Sequence, residues 1–157
     1  MKYKLYNMAL KNEISQRYIY IADDDEDDRS MFVEALLELD PTVHLKQACD
    51  GMELMHILHT LTTPLPEIIF LDINMPGING FECLEEIRKL EGAIHDVRVI
   101  ILSTSSDPEN IDRAFKLGAT FYAVKPNRFE ILKSFIEDVL KIDCRSSSNG
   151  SRKFRLL

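Results

Sequence analysis

The chain has 157 residues, 45% hydrophobic and 29% charged, the make-up of one globular domain around a single core. A formal net charge of −7 argues against direct nucleic-acid contact, which leaves a basic footprint. No apolar run approaches the roughly 18 residues of a membrane span, and Met1–Leu5 lacks a signal peptide's apolar stretch. Cys49, Cys83 and Cys144 have no CxxC spacing, so reduced thiols in a cytoplasmic protein are expected.

Residues 1–16 show no clear period and read as an N-terminal tail. Tyr18 to Ala22 is aromatic and β-branched, a strand, and it runs into the acids Asp23 to Asp28. Met31, Phe32, Ala35, Leu36 and Leu39 recur at helical spacing, and acids at the start of that helix suit its macrodipole. Asp40-Pro41 stops it. Val43 to Ala48 is a shorter strand, and Met52, Leu54, Met55, Leu58 and Leu61 mark a second amphipathic helix. The stretch Glu67 to Asp72 is the central strand. Its unbroken apolar run, Ile68 to Leu71, reads as a strand buried on both faces, typical of a parallel sheet. Phe81, Leu84, Ile87 and Leu90 give a third helix, closed by Gly92. Val97 to Ser103 is a fourth strand. Asp107 caps the next helix with Pro108 in its first turn, and Gly118 ends it. Phe121 to Val124 is the fifth strand, and Phe129 to Leu140 carries the last helix. Residues 143–157 are Ser-rich, then basic and apolar, and read as a disordered C-terminal tail. Five strands alternating with five helices over residues 17–142 mean an α/β parallel sheet covered on both faces.

Such a sheet binds its ligands beyond the carboxyl ends of its strands. Asp23 and Asp24 follow the first strand, Asp72 ends the third, Ser103 the fourth, and Lys125 follows the fifth. Three carboxylates gathered at one edge repel one another and call for a cation. Mg²⁺ takes oxygen ligands and is commonly bound through a few carboxylates plus a phosphate. An Asp beside it can accept a phosphoryl group, which Lys125 could neutralise and Ser103 could hydrogen-bond.

On these residues the chain resembles a receiver domain of two-component response regulators, the CheY-like superfamily. The matching motifs are Ile-Ala-Asp-Asp-Asp at 21–25, Phe-Leu-Asp-Ile-Asn-Met-Pro-Gly-Ile-Asn-Gly at 70–80, Ile-Leu-Ser-Thr-Ser at 101–105 and Tyr-Ala-Val-Lys-Pro at 122–126. The run Leu-Ser-Thr-Ser-Ser and the acidic helix start are similar to the phytochrome-associated single-domain branch. The resemblance implies a flavodoxin-like (βα)5 sandwich with strand order 2-1-3-4-5. It implies Asp72 as phosphoacceptor, and Asp23, Asp24, Asp72 and the Asn74 backbone carbonyl as Mg²⁺ ligands. Ser103, Thr104 and Lys125 would contact the phosphate. Ser103 and Tyr122 would form the switch, with Tyr122 turning inward once the phosphoryl group is in place. A sensor histidine kinase or a histidine phosphotransfer protein would supply the phosphoryl group. The chain would catalyse only its own phosphorylation and dephosphorylation. A downstream protein, or a second copy making a homodimer, would bind the face built by the fourth helix, fifth strand and fifth helix, with no output domain expected.

Each residue also has a plainer reading. Asp25 to Asp28 suit a solvated helix start, and Asp72 alone could begin a turn before Pro76-Gly77. His56 and His59 fit a polar helix face better than a metal site, since no third ligand lies nearby in sequence. A haloacid-dehalogenase-type phosphatase also uses a strand-end Asp with Mg²⁺, but it needs a second Asp where Asn74 stands, and a cap domain. Neither GxxxxGK[ST] nor GxGxxG occurs, so a nucleotide-binding domain is not expected. A degenerate receiver is disfavoured by the intact acids, Ser103 and Lys125.

Overall fold

The computed structural model describes residues 16–62, 64–142 and 154–157. The expected N-terminal tail to residue 15 lies outside them. Five strands, β1 (Tyr18–Ala22), β2 (His44–Ala48), β3 (Ile68–Asp72), β4 (Arg98–Ser103) and β5 (Phe121–Val124), form one parallel sheet of order β2-β1-β3-β4-β5. Five helices connect them: α1 (Glu26–Leu39), α2 (Gly51–His59), α3 (Gly80–Lys89), α4 (Pro108–Lys116) and α5 (Phe129–Lys141). This is the flavodoxin-like fold implied by the sequence.

Alternation along β3 divides the core. Ile68 and Phe70 pack with Phe32, Leu36, Phe135 and Ile136 beneath α1 and α5. Ile69 and Leu71 face the opposite way, toward Leu54, Leu58, Phe81 and Leu84 of α2 and α3. All five β3 residues are buried, so the unbroken apolar run reflects a strand covered on both sides. Burying each such Ile, Leu or Phe contributes about 1.5–3 kcal/mol.

The helix starts follow local chemistry. Asp25 caps α1 by accepting from Asp28 N, and Asp50 caps α2 by accepting from Glu53 N. Asn79 and Glu82 form a reciprocal capping box on α3. Asp107 caps α4 with Pro108 in the first turn, and Gly118 follows that helix with φ +91. The third helix departs from expectation at its end. It stops at Lys89, and Gly92, at φ +82, leads into a 3₁₀ turn over Ala93–Asp96. Arg88 holds this corner together. Its guanidinium donates to the carbonyls of Gly118, His95 and Val97, tying α3 to the approaches of β4 and β5. A planar fork with five donors suits three separate carbonyls.

The C-terminal expectation is corrected in part. Residues 143–153 lie outside the described set, but Phe154–Leu157 is not a free tail. Tyr122 N donates to the Phe154 carbonyl and Leu156 N donates to the Tyr122 carbonyl, both at 2.9 Å, which adds a short parallel pairing to the outer edge of β5. Composition suggested disorder, yet an open strand edge offers the chain an unpaired donor and acceptor.

Gly80 sets how closely α3 approaches the end of β3. A Cβ there would lie 2.2 Å from the Asp72 carbonyl oxygen and 2.8 Å from Ile73 Cα. Both are backbone and cannot swing aside. Gly80→Ala is expected to destabilise the fold by about 1–3 kcal/mol, read by denaturant unfolding. An unchanged midpoint would mean that α3 has room to retreat.

Candidate functional site

The site lies at the carboxyl edge of the sheet and is assembled from four strand ends. Ala22 and Leu71 are register partners, which sets Asp23 beside Asp72. Asp72 is aligned with Leu102, one residue before Ser103, and Ser103 with Val124, one residue before Lys125. Parallel registry thus brings together residues as far apart in sequence as Asp23 and Lys125. The Lys125 N–H also donates to the Ser103 carbonyl at 2.7 Å, fixing where the lysine leaves β5.

Carboxylate oxygens of Asp23, Asp24 and Asp72 lie within 4.8 Å of one another. Asp23 and Asp72 are buried and Asp24 is exposed. Asp23 is steadied by Asp25 N, which donates to its Oδ1 at 3.0 Å, and by Arg29, which donates to its carbonyl at 2.7 Å. Three anionic oxygen donors, one of them open to solvent, are compatible with a hard divalent cation. Asn74 is exposed in the loop after β3, and its backbone N–H supports the Asp72 carboxylate.

Lys125 provides the opposing charge. Its ammonium lies 2.8 Å from Asp23 Oδ2, 3.0 Å from Asp28 Oδ2 and 3.5 Å from Asp72 Oδ1. These anions hold its pKa above the ordinary lysine range although burial opposes the charge. Asp72 is the strained member. Burial pushes its pKa up to about 7, with the Asp23 charge adding to the shift and Lys125 opposing it.

Asp28 is the residue that sequence reasoning missed. The sequence reads it as part of a solvated helix start, whereas it pairs with Lys125. A signal existed: Asp28 lies one turn before Phe32 and two before Leu36, so it shares the helix face that packs onto the sheet.

Ser103 is wholly buried, and its Oγ accepts from Ser105 N at 3.1 Å. Thr104 is exposed beside it. Tyr122 is also wholly buried, and its hydroxyl donates to the Ser105 carbonyl at 2.7 Å. The ring points inward, the pose that the switch reading expects of Tyr122 once the phosphoryl group is in place. Its hydroxyl finds a carbonyl on the loop after β4, so burying it leaves no polar atom unpaired. His56 and His59 join no metal cluster among the described residues.

The family described as the response regulator receiver domain matches residues 19–137, most of the chain. The chain belongs to this family. It is similar to the regulatory protein VanRB of Enterococcus faecalis, 33% identical over 147 residues, which covers 91% of this chain and 59% of that protein. It is similar in structure to the phosphorylated cyanobacterial phytochrome response regulator RcpA, with a TM-score of 0.72 and 26% identity over 80% of this chain and 91% of that one. The crystal structure of the Mn²⁺-bound response regulator Rcp1 shares the fold, with a TM-score of 0.70 at 21% identity, covering 87% of this chain and 99% of that one. The chain spans less than two thirds of the length of curated relatives that it matches, from 30% to 59% in three of them. Receiver domains act in two-component systems as switches driven by phosphorylation of an Asp with Mg²⁺. No helix among the described residues is long and apolar enough to cross a membrane.

The raised pKa of Asp72 makes stability depend on pH in a definite direction. Below the carboxyl's unfolded pKa the group is neutral in both states. Between that value and about 7 the folded receiver keeps a proton that the unfolded chain releases, so stability falls as pH rises through this window. Asp72→Asn removes the buried charge and leaves Lys125 paired with Asp23 and Asp28. In metal-free buffer the variant is expected to melt a few degrees above wild type at about pH 8, with the gap closing toward about pH 4. A gap independent of pH would show that the Asp72 charge is not the cause.

Proposed function

We propose that this receiver domain is a phosphorylation-activated switch of a two-component relay, with Asp72 as the phosphoacceptor. One observation carries the reading: a buried carboxylate at the end of the central strand lies between an acid pair and a lysine ammonium. The donor would be a phosphohistidine on a sensor histidine kinase or a histidine phosphotransfer protein. A carboxylate oxygen of Asp72 attacks phosphorus and an O–P bond forms. The P–N bond breaks, its electrons stay on the imidazole nitrogen, and that nitrogen takes a proton from solvent. The donor set of Asp23, Asp24, Asp72 and the Asn74 carbonyl suits Mg²⁺, which would offset charge on the phosphoryl oxygens.

The chain's own residues perform the rest. Lys125 shifts from its carboxylate partners to a phosphoryl oxygen, and Asp28 accepts it when the other two acids are engaged. The Ser103 hydroxyl and Thr104 donate to the remaining oxygens. Ser103 then gives up its contact with Ser105 N, and the loop that also receives the Tyr122 hydroxyl is repositioned. The readout surface is α4, β5 and α5, where a downstream protein or a second copy of the chain would dock. The domain would turn over only its own aspartyl phosphate. The likeness to RcpA supports a phytochrome-associated type, and Mn²⁺ in Rcp1 supports a divalent ion in this fold.

Acetyl phosphate with Mg²⁺, followed by intact mass measurement, is expected to add one phosphate to wild type and none to Asp72→Asn. Equal labelling of the variant would remove Asp72 from the role.

Asp24→Ala should weaken cation binding tenfold or more in a metal titration of the unphosphorylated domain, because it deletes the solvent-facing carboxylate of the cluster. Unchanged affinity would mean that other oxygens hold the ion.

A further inference from the structure

Beyond the phosphorylation site, the outer edge of β5 carries a second feature. An edge strand presents unpaired N–H and C=O groups, and here both groups of Tyr122 are satisfied by the chain's own terminus, at 2.9 Å each. The terminus also straddles the sheet. Phe154 packs on the α4 side, with its ring edge-on to Phe115 at a centroid distance of 5.2 Å. Leu156 packs on the α5 side, where Ile131, Phe135 and Ile142 line the same depression. Arg155, between the two anchors, is exposed. Charge is complementary as well. The described terminus carries Arg155 in a chain of net charge −7, and Glu130 and Asp138 border the Leu156 depression.

We propose that the outer edge of β5 is a strand-accepting docking site and that Phe154–Leu157 is its resident ligand, bound in cis. The partner it fits is an extended basic segment with two apolar residues separated by one. Main-chain pairing at Tyr122 supplies register, and one apolar anchor on each face of the sheet supplies selectivity. Such a partner must first displace the tail. A tethered ligand acts at an effective concentration of roughly millimolar, so the tail raises the affinity that a partner needs. The site also touches the switch residue itself: the tail holds the backbone of Tyr122 while Ser105 holds its hydroxyl.

The test uses the full unphosphorylated chain and so does not depend on Asp72 being the phosphoacceptor. Leu156→Pro removes the N–H that reaches the Tyr122 carbonyl, and Phe154→Ala removes the α4-side anchor. In both variants the Tyr122 amide should exchange with solvent at least tenfold faster than in wild type. The Lys125 amide, bonded to Ser103 on the β4 side, should be unchanged and serves as the internal control. A free peptide of residues 152–157 at roughly millimolar concentration should restore Tyr122 protection in Phe154→Ala and produce little change in wild type. Fast Tyr122 exchange in wild type would overturn the proposal. Protection that fades on dilution of wild type would overturn the cis assignment, since the tail would then belong to another copy. Failure of the peptide to restore protection would overturn the claim that the edge accepts strands.

Discussion

The arrangement depends on a charge balance at the carboxyl edge of the sheet. Asp23 and Asp72 are each at most 4% exposed and lie beside Asp24, so the edge concentrates negative charge where water screens it poorly. One ammonium compensates. Lys125 reaches three carboxylates, and the one it reaches least closely, Asp72 at 3.5 Å, is the one whose pKa rises to about 7. Asp72 is therefore a carboxylate that burial and Asp23 act against and that Lys125 only partly compensates. A cation or a phosphoryl group would relieve that imbalance in different ways.

Everything else places these groups within reach. Alternating burial along β3 puts α1 and α5 on one face and α2 and α3 on the other, so the strand cannot slip by one residue without exposing a core face. Gly80 lets α3 begin against the Asp72 backbone. Arg88 ties three carbonyls into one corner and so fixes where β5 begins, on which the position of Lys125 depends. These devices lie outside the site, yet each bears on its distances.

The inward Tyr122 ties the site to the surface. Its hydroxyl is held by the loop that follows Ser103, and its backbone by the C-terminal residues. A shift in the Ser103 loop would thus reach the outer edge of β5 through one side chain. No long chain of contacts is required, because β4 and β5 are neighbours and the loop lies over both.

Local chemistry made most of this legible in the sequence. The parallel sheet was written in the apolar run Ile68 to Leu71, the helix starts in Asp107-Pro108 and the acids after Ala22, and the site in the polar residues that end buried strands. These are short-range signals, set by side-chain period, capping and turn geometry. Asp28 was misread because its partner, Lys125, is 97 residues away, and only the packing of α1 on the sheet brings them together. The inward pose of Tyr122 depends on a carbonyl presented by another loop, and the pairing of Phe154 and Leu156 depends on β5 being an edge strand. Asp28 leaves only its place on the buried face of α1, and the other two leave no mark in residue spacing, because each partnership is decided by which groups remain unpaired once the whole sheet has formed.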